Sequence, residues 1–356
     1  MLIIDGHLDL AMNALLWNRD LTRAVHEIRE DEAGMGQKGR RMGTVALPEM
    51  RAGRVALTLG TVIARKFEGQ RSSIDFFSHA QAYAQAQGQL AYYRQIERDG
   101  ELRLIRDARA LDAHLAEWEG DEGGKRPVGL VLCMEGADPI VAPDEVGRWW
   151  EDGLRVLALA HYGPSAYAFG TESEGPLTDW GRAILPLMEQ LGMVLDVTHL
   201  CDQSFDEAMG RFGGAVLASH SNCRALVPGD RQFTDEQLRQ LIARDAVIGA
   251  AFDAWMLQPG WVKGVTTNER VTLRTVVDHI DHVCQLAGDA RHAAIGTDLD
   301  GGYGTEQSPC DLDTIADLRG IPALLRERGY GEEDVEGIMY GNWVRLLRRA
   351  LPTGES

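Results

Sequence analysis

Residues 193–220, MVLDVTHLCDQSFDEAMGRFGGAVLASH, contain two apolar runs, each closed by a histidine (His199 and His220), with a polar stretch of helical length between them. A run that is apolar on successive residues, without alternation, suits a strand covered on both faces, the usual setting of a parallel sheet. The segment therefore reads as strand, crossover helix, strand. The pattern recurs: LII (2–4), RVALTLGTVIA (54–64), VGLVLCME (128–135), LRVLALAH (154–161), AVIGAAF (246–252) and HAAIGTD (292–298) bring the number of runs to eight. Eight βα units in 356 residues favour a closed barrel over an open sheet. The expected architecture is α/β, a (β/α)8 TIM-like barrel forming a single domain over residues 1–350, with 351–356 as a frayed tail.

Helix signals fall between the runs. LTDWGRAILPLMEQLG (177–192) carries a cap at Thr178 and a stop at Gly192, and TDEQLRQLIARD (234–245) opens with the Thr and acidic residues of a helix N-terminus. DFFSHAQAYAQAQGQLAYYRQIER (75–98) predicts a longer helix, and EGDEGGKR (119–126) an exposed loop.

Acidic residues outnumber basic ones 54 to 36, giving a formal charge of −18 that repels nucleic-acid phosphates and anionic lipids. The five cysteines, Cys133, Cys201, Cys223, Cys284 and Cys310, are odd in number and form no CxxC pair, so neither a disulfide framework nor a thiolate zinc site is expected. No basic and apolar leader precedes the first run, and no stretch of 18 apolar residues occurs. These features predict a cytoplasmic protein without nucleic-acid or membrane partners.

In a barrel of this kind functional groups stand at the C-terminal ends of the strands. What closes each run is consistent: His7 and Asp9 follow the first, Glu135 ends the third, His161 the fourth, His199 the fifth, His220 the sixth and Asp298 the eighth. Four of the ten histidines thus stand at run ends. On an extended segment residues two apart share a face, so His7 and Asp9 can hold one ion while Leu8 faces away. Glu135 can bridge to a second ion, on which His199 and His220, from successive βα units, can converge. Each ion then has three protein ligands and a position open for water, the arrangement of a catalytic site. Nitrogen and carboxylate donors suit zinc best, with manganese and cobalt also compatible. The expectation is two zinc ions per chain, bridged by Glu135 and a hydroxide and about 3.5–4 Å apart.

The motifs DGHLDL, MEGAD, DVTHL, ASHSN and IGTDLDG, in this order from residue 3 to about 345, resemble those of the membrane dipeptidase (renal dipeptidase) family of amidohydrolase-like metal hydrolases. The resemblance implies a distorted barrel with a binuclear zinc centre that cleaves dipeptides, including those with a D-residue at the C-terminal position, and in some members opens penem-type β-lactams. It implies that His7 and Asp9 bind one zinc, that Glu135 bridges, and that His199 and His220 bind the other. It further assigns Asp298 as the general acid and base, His161 as the group that polarises the scissile carbonyl, and Arg231 as the anchor of the substrate carboxylate. Relatives point to a homodimer. Two departures stand out: Leu8 where the family often has Asn, and Asp253, in AAFDAW, where it often has an aromatic residue. Asp253 would alter the side chains or amines accepted. The signal peptide and lipid anchor of some relatives have no counterpart pattern here.

Other features carry less. His279 and His282, in VDHIDHVCQL, have a spacing that can bind metal but read as a solvated helix face. GDEGGKR lacks the GxxxxGK[ST] spacing, no GxSxG occurs, and Cys133, Cys201 and Cys223 read as packing residues. Two alternatives to a dipeptidase stay open: another amidohydrolase acting on lactams or N-acyl amino acids at the same metals, and a metal-binding protein without catalysis.

Overall fold

The computed structural model describes residues 1–67, 69, 72–120 and 126–354; most of the loop expected at 119–126, residues 121–125, lies outside them. All eight apolar runs form strands: β1 (Ile3–Leu8), β2 (Val55–Ile63), β3 (Val128–Glu135), β4 (Val156–Ala158), β5 (Val194–Asp196), β6 (Val216–Leu217), β7 (Ile248–Ala250) and β8 (Ala293–Ile295). Every residue of β2 and β3 is buried, as an unbroken apolar run between two layers requires. Strands β1 to β6 pair in chain order, all parallel. A single bridge, Ala218 to Ile248, joins β6 to the parallel β7–β8 pair.

Side chains, more than a backbone ladder, close the barrel between β8 and β1. Asp5 accepts hydrogen bonds from the Thr297 N–H (2.8 Å) and hydroxyl (2.6 Å), and the His7 carbonyl accepts one from Asp298 N at 3.3 Å. A glycine of β1 allows the approach: a Cβ on Gly6 would stand 3.1 Å from the Ile295 carbonyl oxygen of β8. A short strand that no apolar run signals, Leu102–Leu104, pairs with the first half of β3, whose second half pairs with β4.

Helices lie where capping chemistry predicts, with one shift. Thr178 accepts from Gly181 N ahead of α1 (Asp179–Leu191), which Gly192 ends at φ +75°, and Thr234 with Gln237 forms a capping box at α2 (Asp235–Ala243). The helix expected from residue 75 instead begins at 79, spanning His79–Arg98, because Ser78 caps it. Asp75–Phe76 pairs with Arg65–Lys66 in a two-stranded ribbon at the barrel mouth. His279 corrects another expectation: it is only 2% exposed, its Nδ1 accepting the Cys223 N–H, whereas His282 pairs with Asp235. The chain stays bound to the fold beyond residue 350, since Leu351 is buried and the Pro352 carbonyl accepts from Ala108 N.

Candidate metal centre

The residues that close the runs meet at one end of the barrel. His7 Nε2 lies 3.8 Å from Asp9 Oδ2 and 3.7 Å from Glu135 Oε2. Nε2 of His199 and of His220 lie 3.2 and 3.3 Å from Glu135 Oε1, and 3.3 Å from each other. An ion held tetrahedrally by bonds of about 2.1 Å keeps its ligands about 3.4 Å apart, so both donor sets have ligand spacing. Glu135 belongs to each set through a different oxygen. Among the described residues His7 Nε2, which is buried, has no hydrogen-bond partner, the kind of orphaned donor atom that a cation satisfies.

Several neighbours that the sequence reading missed aim these ligands. The Thr61 hydroxyl bonds Asp9 Oδ1, leaving Oδ2 to face His7. Thr171 Oγ1 lies 3.0 Å from His199 Nδ1, and Ser219 Oγ 2.8 Å from His220 Nδ1. A hydroxyl can accept from Nδ1–H, which leaves the Nε2 lone pair directed at the Glu135 oxygen. A hydroxyl inside an apolar run (Thr61) or directly before a histidine (Ser219) is the only sequence signal for these residues. His199 and Asp298 hold left-handed backbone, φ +69° and +58°. Such conformations cost about 1–3 kcal/mol each and persist where the surroundings impose them.

Asp298 Oδ1 lies 3.8 Å from His7 Nε2, and Gly301 makes room for it: a Cβ there would stand 2.0 Å from that oxygen. Asp300 turns away, bound by Thr44 N and Oγ1 (both 2.8 Å) and Val45 N (3.0 Å), with Arg19 at 3.3 Å. His161 Nε2 stands 3.9 Å from Glu135 Oε1, with Arg65 Nη1 at its Nδ1. Arg231 is buried, donates from Nη2 to the His220 carbonyl at 2.9 Å, and among the described residues has no partner at Nη1. Every sequence-predicted site residue is therefore at or beside the centre.

The sequence model for the membrane dipeptidase family, peptidase family M19, matches residues 1–355. This chain belongs to that family. It is 30% identical over 200 residues to dipeptidase tcpJ of Claviceps purpurea, covering 55% of this chain and 44% of that protein. The chain spans about half the length of the curated relatives it matches. Its fold is similar to dipeptidase AC, an M19 metallopeptidase (TM-score 0.80, 24% identity, 98% of both chains). It is also similar to a metallopeptidase from Rhodobacter sphaeroides bound to a phosphinate mimic of the dipeptide L-Ala-D-Ala (TM-score 0.79, 22% identity, 98% and 99% of the chains). Among the described residues no helix is long and apolar enough to cross a membrane.

Membership of the M19 metallopeptidase family implies a metal cofactor, and His7, Asp9, Glu135, His199, His220 and Asp298 form the groups that could hold one. Burial pushes Asp298 well above the usual carboxylate range and Glu135 up to about 7. Burial opposes protonation of His7, but Glu135, Asp9 and Asp298 outweigh it and push His7 up to about 10. Burial, reinforced by Arg231, holds His199 and His220 well below the ordinary histidine value, so their lone pairs are free. Above the centre opens a cavity of about 710 Å³, with Asp9 and His161 at one side and Trp17, Trp255 and Tyr303 among its walls. Asp253 faces it with Oδ1 held by Gln307 Nε2 at 2.7 Å, and burial pushes its carboxyl up to about 6.

Proposed function

We propose that this chain is a zinc-dependent dipeptidase with two ions per chain, one on His7, Asp9 and Glu135 Oε2, the other on Glu135 Oε1, His199 and His220. The observation that carries the proposal is the division of Glu135: each carboxylate oxygen faces its own donor set, at the floor of a cavity of small-molecule size. Bound there, a pair of divalent ions supplies a nucleophile from water near neutral pH and draws electron density from the substrate carbonyl.

The remaining steps belong to the chain's own side chains. Arg231, buried and with Nη1 unpartnered, binds the substrate's free carboxylate and so restricts the site to short substrates. His161, on the cavity wall, donates from Nε2 to the carbonyl oxygen as negative charge builds there. Asp298, whose Oδ1 stands 3.8 Å from His7 Nε2 at the edge of the centre, accepts the proton of the attacking water and delivers it to the leaving amine. The dipeptide mimic bound to the Rhodobacter relative supports an L-Xaa-D-Xaa substrate.

A dipeptide library, L and D at both positions, tests this reading when run beside N-acyl amino acids and a β-lactam with metal content measured in the same preparation. Hydrolysis of dipeptides with a free C-terminal carboxylate is expected. Turnover of N-acyl amino acids or lactams alone would replace the reading with another amidohydrolase, and a metal-loaded protein inert toward all of them would refute enzymatic function.

A further inference from the structure

The histidines of the centre differ in what stands behind them. Nδ1 of His199 and of His220 face hydroxyls, Thr171 Oγ1 and Ser219 Oγ, which can accept a proton's hydrogen bond. Nδ1 of His161 faces a guanidinium: Arg65 Nη1 is 3.3 Å away and also donates to the Tyr162 carbonyl at 2.8 Å. The guanidinium is pinned from the other side, with Nε 2.7 Å and Nη2 2.5 Å from Oδ1 of the buried Asp75. Asp75 Oδ2 in turn accepts the Ser72 N–H at 2.9 Å. Arg65 and Asp75 come from the two strands of the ribbon at the barrel mouth, so the ribbon delivers the guanidinium to the ring.

An arginine donates hydrogen bonds and never accepts them. A ring nitrogen facing one must present its lone pair, and a neutral imidazole with a bare Nδ1 carries its proton on Nε2. We propose that Arg65 is a positioning residue that fixes His161 in the Nε2–H tautomer, making this histidine a hydrogen-bond donor to the substrate oxygen. The same contact keeps His161 out of the metal set, although its Nε2 lies only 3.9 Å from Glu135 Oε1, because a protonated nitrogen has no lone pair to give. The partner behind each of these three rings thus separates their roles: the hydroxyl-backed His199 and His220 ligate and the guanidinium-backed His161 donates. This inference rests on the dipeptidase reading for its effect on turnover, but not for the tautomer itself.

The test uses zinc-loaded enzyme. Arg65→Met leaves Asp75 without its arginine, so the double variant Arg65→Met/Asp75→Asn is measured beside it. Both should lose about 10–100-fold in kcat, with KM and zinc content little changed, as when an outer-shell partner is removed. In a His161→Ala background Arg65→Met should change kcat less than about 2-fold, because its effect passes through the missing ring. Nitrogen-15 NMR of histidine-labelled enzyme should show His161 protonated on Nε2 in the native protein and mixed tautomers in Arg65→Met. Unchanged kcat, an equal loss with and without His161, or a native His161 protonated on Nδ1 would each overturn the proposal. A native enzyme inert to every dipeptide, yet showing the Nε2–H signal and its loss on substitution, would instead count against the dipeptidase reading and leave Arg65's control of the ring standing.

Discussion

Thr171→Val replaces a hydroxyl by a methyl of the same shape and removes two contacts, both to His199: the 3.0 Å approach of Oγ1 to Nδ1 and a long 3.4 Å bond to the carbonyl oxygen. Thr171 is 1% exposed, so water cannot take the hydroxyl's place. A buried N–H left unpaired costs about 1–3 kcal/mol. Loss of such a partner behind a metal-ligating histidine weakens metal binding about 10–100-fold, or about 1.4–2.7 kcal/mol. The two magnitudes agree, and the loss should fall on one ion: the one held by Glu135 Oε1, His199 and His220. Titration of metal-free protein with zinc against a chromophoric chelator, fitted to two sites, measures this. The expected result is one weakened and one unchanged affinity, with hydrolysis restored by excess zinc. Ser219→Ala should weaken the same ion through His220, and the double variant should fall short of additivity because the two rings share one ion. Unchanged zinc affinity in Thr171→Val, or equal loss at both sites, would show that Thr171 does not support the ion on His199.

Three further predictions follow from the same geometry. Asp298→Asn keeps the shape but loses the acid and base, so kcat should fall by at least about 10²-fold while two zinc ions stay bound; near-normal turnover would remove Asp298 from the mechanism. Because the carboxylates around it push His7 up to about 10, zinc entry at pH 7 should release at least one proton per chain, visible as buffer-dependent heat in calorimetry; no proton release would contradict the charge assignment. Burial depresses His279 from 6.5 to about 4, so the unfolded chain takes up this proton first. Stability is therefore full above pH 6.5 and falls as pH drops to about 4, by up to about 3 kcal/mol at about 1.4 kcal/mol per pH unit. Urea unfolding of wild type and His279→Gln across this range should show a shallower pH slope in the variant, and equal slopes would exclude His279 as the source.

The barrel and the cluster of candidate metal donors were legible because a strand buried on both faces admits chemistry only at its ends. His7, Asp9, Glu135, His199, His220 and Asp298 all follow apolar runs, and all six converge. Asp298 was legible as the first acid after the eighth apolar run, and the fold adds that Thr44, 256 residues away from Asp300 in sequence, claims the Asp300 carboxylate. Thr171 and Arg65 had no spacing to reveal them, because they reach the centre from an irregular loop and a ribbon of two-residue strands too short for periodicity. His279 was misread for another reason. It lies three residues after Val276 and beside Ile280 on Leu273–Ala287, within the buried stripe, and a histidine there is satisfied by the backbone of a neighbouring loop.

We propose that Glu135 joins two metal ions through its separate oxygens. Anomalous diffraction at the zinc edge, from crystals of protein first shown to hydrolyse a dipeptide, tests it most directly. Two peaks are predicted about 3.5–4 Å apart, one among His7, Asp9 and Glu135 Oε2 and the other among Glu135 Oε1, His199 and His220. A single peak in active protein, or ions held by other residues, would contradict it.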